Sequence, residues 1–71
     1  MFDCVALVGA TGAVGRIVLV QLHARKFPMR KLRLLASARS AGTQVRYGDE
    51  MLTVELMEPS AFEGVDLVIA S

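Results

Sequence analysis

The residues of greatest chemical interest form a glycine-punctuated run, Gly9-Ala10-Thr11-Gly12-Ala13-Val14-Gly15, near the start of the chain. Glycine lacks a Cβ atom, so Gly9 permits a sharp turn and Gly12 permits a phosphate group to approach the backbone. Gly15 permits a helix to pack closely against a sheet. The G-x-x-G-x-x-G spacing therefore predicts a dinucleotide-binding turn, and the alternative is a tight strand-to-helix turn that holds no ligand.

The polar groups of this run suit a pyrophosphate. We expect the N–H groups of residues 11–14 to be free and to point toward the phosphates, helped by the positive end of a helix dipole. The hydroxyl of Thr11 can add one more hydrogen bond. The cofactor-binding residues predicted in this run are Gly9, Thr11, Gly12, Ala13, Val14 and Gly15.

A second polar run, Ser37-Ala38-Arg39-Ser40, follows a predicted strand. An NAD site usually has Asp or Glu in this place, because a carboxylate accepts hydrogen bonds from the ribose hydroxyls. No carboxylate is near here, whereas Arg39 can pair with a 2′-phosphate or stack on adenine, and the hydroxyls of Ser37 and Ser40 can donate to phosphate oxygens. The run predicts NADP as the cofactor, and the alternative is that Arg39 is an ordinary solvated loop residue.

Both runs must be positioned by the elements around them. The apolar residues 4–8 predict a parallel strand that is buried on both faces. The stretch Val14–Lys26 predicts an amphipathic helix that buries a stripe of Val14, Val18 and Leu22. The glycine run therefore joins a strand to a helix, which is the context that a dinucleotide-binding turn requires.

The rest of the chain predicts further strands. Leu32–Ala36 predicts a second strand, which completes a right-handed βαβ unit. Gln44–Tyr47 and Met51–Leu56 predict an antiparallel hairpin, Pro59–Phe62 a short helical turn, and Val65–Ala70 an inner parallel strand beside the first. The predicted fold class is α/β, a partial Rossmann-type NAD(P)-binding domain whose mainly parallel sheet carries an antiparallel hairpin excursion.

Length and composition bear on how much of a domain is present. The chain has 71 residues, of which 54% are hydrophobic. A doubly wound domain needs several strand-helix-strand units, and so short a chain rarely buries this much apolar surface. We expect residues 1–71 to be the N-terminal part of one dinucleotide-binding domain without its catalytic and dimerisation domain. The alternative is a small domain that folds independently.

Charge and cysteine content exclude several classes of partner. The formal net charge is +1, so no strong field is available to recruit nucleic acid or an anionic membrane surface. The apolar runs are too short to span a bilayer. With Cys4 as the single cysteine, no internal disulfide can form, and we expect a cytoplasmic protein. Leu19 and Val20, which lie off the predicted buried stripe, indicate a second face that further chain or a second subunit covers, and we expect a homo-oligomer.

No residue of this chain is predicted to be catalytic or to bind a metal. Cys4 lies at the amino end of the first strand, opposite the cofactor edge, and its apolar neighbours favour a buried structural role. His23 lies about two helical turns from the glycine run, where contact with the helix dipole is sufficient explanation. The acidic residues are scattered around the hairpin and are interpreted as solvated charges.

Taken together, four segments of the sequence resemble aspartate-semialdehyde dehydrogenase. They are Gly9-Ala-Thr-Gly-Ala-Val-Gly15, Phe27-Pro28, Leu35-Ala-Ser-Ala-Arg-Ser-Ala-Gly42 and Phe62-Glu-Gly-Val-Asp66. The likeness spans essentially the whole chain, and the segment from Leu35 to Gly42 is more specific than the glycine run. The resemblance implies that residues 11–14 hold the pyrophosphate and that Arg39 with Ser40 holds the 2′-phosphate.

The resemblance also implies an activity for the parent protein. That activity is reductive dephosphorylation of aspartyl phosphate to aspartate semialdehyde with NADPH, in the biosynthesis of lysine, threonine and methionine. The family's cysteine nucleophile and its histidine acid-base lie beyond this chain. Two alternatives stay open: a noncatalytic relative that acts as a binding or interaction protein, and another NADP-dependent acyl-phosphate reductase.

Overall fold

The computed structural model describes residues 1–70, which form one parallel and one antiparallel sheet around a single α-helix. The elements in chain order are β1 (Phe2–Val8), α1 (Ala13–Ala24), β2 (Met29–Ala36), β3 (Gln44–Tyr47), β4 (Glu50–Thr53), β5 (Glu55–Leu56), a 3₁₀ helix (Pro59–Phe62) and β6 (Leu67–Ala70). The parallel sheet has the order β5-β2-β1-β6, and β3 pairs with β4. The predicted fold class is confirmed.

Strand β1 lies inside the parallel sheet because apolar side chains cover both of its faces. It pairs with β2 from Phe2 opposite Met29 to Val8 opposite Leu35, and with β6 on its other edge. The two strands that flank α1 in the sequence are therefore direct neighbours in the sheet. Their carboxyl ends lie side by side, and so do the loops that follow them.

Alternation along the strands divides the core between the two faces of the sheet. The larger cluster, on the α1 face, consists of Leu7, Ala10, Leu19, Leu34, Ala36 and Val54. The smaller cluster, which includes a residue of the 3₁₀ helix, consists of Ala6, Leu35 and Ala61. Both clusters contain residues of β1 and β2, so the apolar contacts that stabilise the sheet also fix the positions of these two strands.

The buried stripe of α1 differs from the prediction. The buried residues are Gly15, Leu19 and Leu22, whereas Val14 is 59% exposed. The expectation that Leu19 lies on a second face was therefore wrong, because it belongs to the main core. A Cβ at position 15 would meet backbone atoms of residues 9 and 10, so only the glycine lets the helix come this close. Since residues three and four apart share a helix face, burial of Gly15 carries Leu19 and Leu22 with it and turns Val14 outward.

Helix α1 ends two residues before the predicted end. Arg25 is the C-cap and Lys26 adopts the left-handed conformation, with φ of 51°. The amide of Lys26 donates to the carbonyl of His23 at 3.1 Å, and the amide of Phe27 donates to that of Leu22 at 3.0 Å. These two bonds form a Schellman motif, which satisfies the last carbonyls and turns the chain toward β2.

The second arm of the hairpin is shorter than predicted. Strand β4 ends at Thr53, and β5 pairs in parallel with β2, with Glu55 opposite Leu35. Between them Val54 is 1% exposed in the core, so burial of its side chain pulls the chain away from the hairpin and onto the main sheet. The Arg33 guanidinium then fixes Glu55 through two hydrogen bonds, of 3.1 Å and 2.6 Å.

Strand β6 lies beside β1 as predicted, but it begins at Leu67 and is an edge strand, not an inner one, of the sheet formed by residues 1–70. Its start is fixed by Asp66, whose carboxylate accepts hydrogen bonds from the amides of Asp3 at 2.8 Å and Cys4 at 3.0 Å. The Asp66 amide donates in return to the Cys4 carbonyl at 2.8 Å. This reciprocal contact sets the register of β6.

Substitution of Gly15 by alanine should destabilise the fold. The added Cβ meets backbone atoms that cannot rotate away, so we expect the free energy of unfolding to fall by about 1–3 kcal/mol despite alanine's higher helix propensity. Chemical denaturation followed by circular dichroism measures the loss. The matched control is Gly12→Ala, whose Cβ would meet only the Gly9 carbonyl oxygen at 3.6 Å and should cost less than about 1 kcal/mol. Equal losses of unfolding free energy in the two variants would contradict the close approach of α1 to the backbone of residues 9 and 10.

The Arg33–Glu55 pair should make stability depend on pH. The hydrogen bond from Arg33 lowers the pKa of Glu55 below its ordinary value of 4.5. A lowered folded-state pKa means that the stabilisation is complete above the ordinary value and is lost as the pH falls through the folded-state value. The difference in unfolding free energy between the wild type and Glu55→Gln should therefore be constant well above the ordinary pKa of 4.5 and shrink as the pH falls below that value. Glu50→Gln, at an exposed carboxylate, is the control and should show no such change.

Candidate cofactor-binding site

The two polar runs predicted from the sequence lie at the same edge of the sheet. Residues 9–15 follow β1 and residues 37–40 follow β2, and these strands are parallel neighbours. The Gly9 amide donates to the Leu35 carbonyl at 2.9 Å, which links the glycine turn to the end of β2. This edge is where open α/β sheets bind their ligands.

The glycine turn has the backbone geometry that its sequence predicts. Gly9 has φ of 82°, a conformation that side chains disfavour. The Gly12 amide donates to the Gly9 carbonyl oxygen at 3.2 Å and closes the turn. The expectation that every N–H group of residues 11–14 is free was therefore wrong at Gly12, whose amide is used within the turn.

The remaining amides of the turn are available to a ligand. Within residues 1–70, no hydrogen bond occupies the N–H groups of Thr11, Ala13 and Val14. The N-cap, Gly12, has no side-chain cap, and the first turn of α1 contains no acidic residue. The positive end of the α1 dipole is therefore not neutralised by its own first turn, and it favours an anion.

The second run forms a tight turn. The amides of Ser40 and Ala41 both donate to the Ser37 carbonyl, at 2.9 Å and 3.0 Å, so Arg39 lies at the exposed tip. Across residues 1–70 the Arg39 guanidinium has no ion-pair or hydrogen-bond partner. The amide of Gly42 donates to the Val54 carbonyl at 2.8 Å, which anchors this turn from behind.

One side-chain contact joins the two runs. The Thr11 hydroxyl donates to the Ser40 hydroxyl oxygen at 3.2 Å, across 29 residues of sequence. Sequence reasoning assigned these two residues to different phosphates and missed the bond between them. The only signal for it was that both residues were expected at the carboxyl ends of adjacent strands.

The donor set fits the phosphates of a dinucleotide. Residues 9–15 and 37–40 contain no Asp or Glu, and they offer free amides, three side-chain hydroxyls near the strand ends and a guanidinium that has no partner among residues 1–70. Gly12 leaves the surface above the turn open, since a Cβ there would make only one contact, with a carbonyl oxygen. Such an arrangement can bind two separate anionic groups, one at each turn.

Cys4 and His23 lie away from this edge. Cys4 is buried near the amino end of β1, at the opposite end of the sheet. The His23 ring contacts the Tyr47 ring edge-on, with centroids 5.3 Å apart, and so docks the hairpin on α1. A groove of about 480 Å³ lies on this side of α1, and none of its lining residues belongs to either polar run.

The described part of the chain contains no cluster of three or more His, Cys, Asp or Glu side chains arranged to hold a metal ion. Among residues 1–70, no helix has the length and apolar character needed to cross a membrane.

Comparison with known proteins places these features in a family. A family model described as "Semialdehyde dehydrogenase, NAD binding domain" matches residues 4–71. Aspartate-semialdehyde dehydrogenase from Synechocystis is 51% identical over 67 residues, which cover 94% of this chain and 20% of the relative. The enzyme of the same name from Bacillus subtilis is also 51% identical over 67 residues, covering 94% of this chain and 19% of the relative. The chain thus spans about one fifth of the length of these relatives.

The fold is shared as well. A crystal structure of aspartate semialdehyde dehydrogenase II from Vibrio cholerae, complexed with ASA, superposes with a TM-score of 0.89 at 39% identity. The match covers 100% of this chain and 23% of the Vibrio chain. The resemblance found in the sequence is confirmed, and the chain belongs to the family of semialdehyde dehydrogenase NAD-binding domains.

Proposed function

We propose that this chain is the NADP-binding part of an aspartate-semialdehyde dehydrogenase, which reduces aspartyl phosphate to aspartate semialdehyde and releases inorganic phosphate. The observation that carries this proposal is the meeting of the glycine turn with the Ser37–Ser40 turn at one sheet edge, where Arg39 has no partner within residues 1–70. The family match supports a nicotinamide cofactor. We further propose that residues 1–71 are the N-terminal part of one dinucleotide-binding domain.

The glycine turn is proposed to hold the diphosphate. The free N–H groups of Ala13 and Val14 donate to phosphate oxygens, with the α1 dipole adding a favourable field. Gly9 shapes the turn, and Gly12 lets the phosphates approach. The residues proposed for the diphosphate are Gly9, Thr11, Gly12, Ala13, Val14 and Gly15.

The second turn is proposed to select NADP over NAD. A 2′-phosphate brings charge that the exposed Arg39 guanidinium neutralises, and the hydroxyls of Ser37 and Ser40 donate to its oxygens. The turn lacks the carboxylate that would bind a free 2′-hydroxyl and repel a phosphate. Held at both turns, the bound cofactor supplies the hydride, and this chain orients it.

A homo-oligomer in the cytoplasm completes the proposal. The outward face of α1 carries Ile17 and Val20, which are 61% and 66% exposed, and a second subunit or further chain would cover them. The single cysteine, Cys4, suits a reducing compartment.

The activity can be assayed in the reverse direction. The full-length protein should reduce NADP⁺ in the presence of L-aspartate semialdehyde and inorganic phosphate, followed by the absorbance of NADPH. Reduction of NADP⁺ should stop when phosphate is omitted, because the acyl group then cannot be transferred to phosphate to form the acyl phosphate. If NADP⁺ reduction with this substrate does not depend on phosphate, or does not occur, the proposed activity is contradicted.

Substitution of Arg39 tests the cofactor preference separately. Arg39→Ala should lower the NADPH:NADH ratio of kcat/KM by about 10- to 100-fold, the range expected for loss of a charge-assisted hydrogen bond to a phosphate. Arg46→Ala, which removes an exposed arginine from β3 outside both turns, is the matched control and should leave the ratio unchanged. An unaltered ratio in Arg39→Ala would remove this residue from the site.

A further inference from the structure

We propose that Thr11 is a positioning residue for the 2′-phosphate of NADP, acting through Ser40, in addition to its place in the glycine turn. The inference rests on the proposed function, because it concerns the same cofactor. It assigns to a residue of the first turn a role in the specificity of the second turn.

The hydrogen bond between the two hydroxyls carries the inference. A hydroxyl has one proton to donate and can also accept through its lone pairs. The Thr11 and Ser40 hydroxyl oxygens lie 3.2 Å apart, and both side chains are half-buried. When the Ser40 hydroxyl donates its one proton to an external acceptor, its oxygen is left to accept the proton of Thr11. Within residues 1–70 Ser40 has no other side-chain hydrogen bond, so the contact with Thr11 suits Ser40 as a donor to a ligand.

The backbone around Ser40 is fixed while its side chain is not. The Ser40 amide donates to the Ser37 carbonyl at 2.9 Å, and the Ser40 carbonyl accepts from the Thr43 amide at 3.1 Å. These bonds set the position of the Ser40 Cα but leave three staggered rotamers open to its hydroxyl. The contact with Thr11 selects one of them, and it also polarises the Ser40 hydroxyl and strengthens it as a donor.

A phosphate is the acceptor that fits this donor. Arg39, the adjacent residue, presents a guanidinium with no partner among residues 1–70, so the two groups offer charge and a directed hydrogen bond to one anion. Arg39 is exposed, whereas the Ser40 side chain is oriented by its contact with Thr11 of the glycine turn. Preorganisation of this kind raises affinity by reducing the ordering cost of binding.

A positioning role of Thr11 and a direct contact of Thr11 with the diphosphate have different expected effects on cofactor binding. NADP⁺ and NAD⁺ share the diphosphate and differ only in the 2′-phosphate. Loss of a diphosphate contact would weaken both ligands equally, whereas loss of a positioning contact on Ser40 would weaken NADP⁺ alone. The quantity to measure is therefore the ratio of the two dissociation constants.

The test is isothermal titration calorimetry of the full-length protein with NADP⁺ and with NAD⁺. Thr11→Val keeps the shape of the side chain and removes its hydroxyl, and it should reduce the preference for NADP⁺ over NAD⁺, measured as the ratio of the two dissociation constants, by about 3- to 10-fold. Thr11→Ser should restore the preference. Adding Thr11→Val to Ser40→Ala should cause no further loss beyond that of Ser40→Ala, since the two residues act as one unit.

The matched control is Thr43→Val, which removes an exposed hydroxyl that has no side-chain hydrogen bond within residues 1–70, and it should leave both affinities unchanged. Circular dichroism melts of each variant verify that the fold is intact. Equal weakening of NADP⁺ and NAD⁺ by Thr11→Val, or failure of Thr11→Ser to restore the preference, would overturn the positioning role alone. A wild-type protein that binds the two ligands equally would overturn the proposed NADP specificity and, with it, this inference.

Discussion

The close contact between the start of α1 and the turn after β1 is the constraint on which the rest of the structure depends. Gly15 lies against backbone atoms of residues 9 and 10, where no side chain fits. This contact sets the rotation of α1 about its axis and brings Leu19 and Leu22 onto the sheet. It also aims the free amides at the start of the helix across the carboxyl end of β1, so one packing contact serves both the core and the site.

Parallel pairing of β1 with β2 adds the second half of the site. Because the helix returns the chain to the adjacent position in the sheet, residues 29 sequence positions apart come within hydrogen-bond distance, as Thr11 and Ser40 do. The anchoring of the second turn by Val54 depends in turn on the crossing of the chain from the hairpin to β5. The hairpin, which takes no part in the proposed chemistry, therefore supports the turn that is proposed to bind the 2′-phosphate.

The two turns offer different positive and hydrogen-bonding groups, which suits a ligand that carries phosphates at two separate places. The glycine turn offers backbone amides and a helix dipole, which bind phosphate without regard to the sugar beyond it. The second turn offers a guanidinium and hydroxyls, which are proposed to discriminate between a 2′-phosphate and a 2′-hydroxyl. Within residues 1–70 the side-chain hydrogen bond between Thr11 and Ser40 links the two turns, so the geometry of one turn affects the other.

Local sequence determined the features that depend on neighbouring residues. The glycine turn, the places of β1, β2, β3 and β6 along the chain and the 3₁₀ helix at Pro59–Phe62 follow from residue types that permit only a few backbone conformations. The absence of a carboxylate after β2 is read directly from the sequence. The family resemblance came from the same short segments. Tertiary structure decided the buried face of α1, the crossing at Val54 and the bond from Thr11 to Ser40. Each of these depends on contacts between residues distant in sequence, and periodicity within one segment carries no information about which distant surface that segment meets.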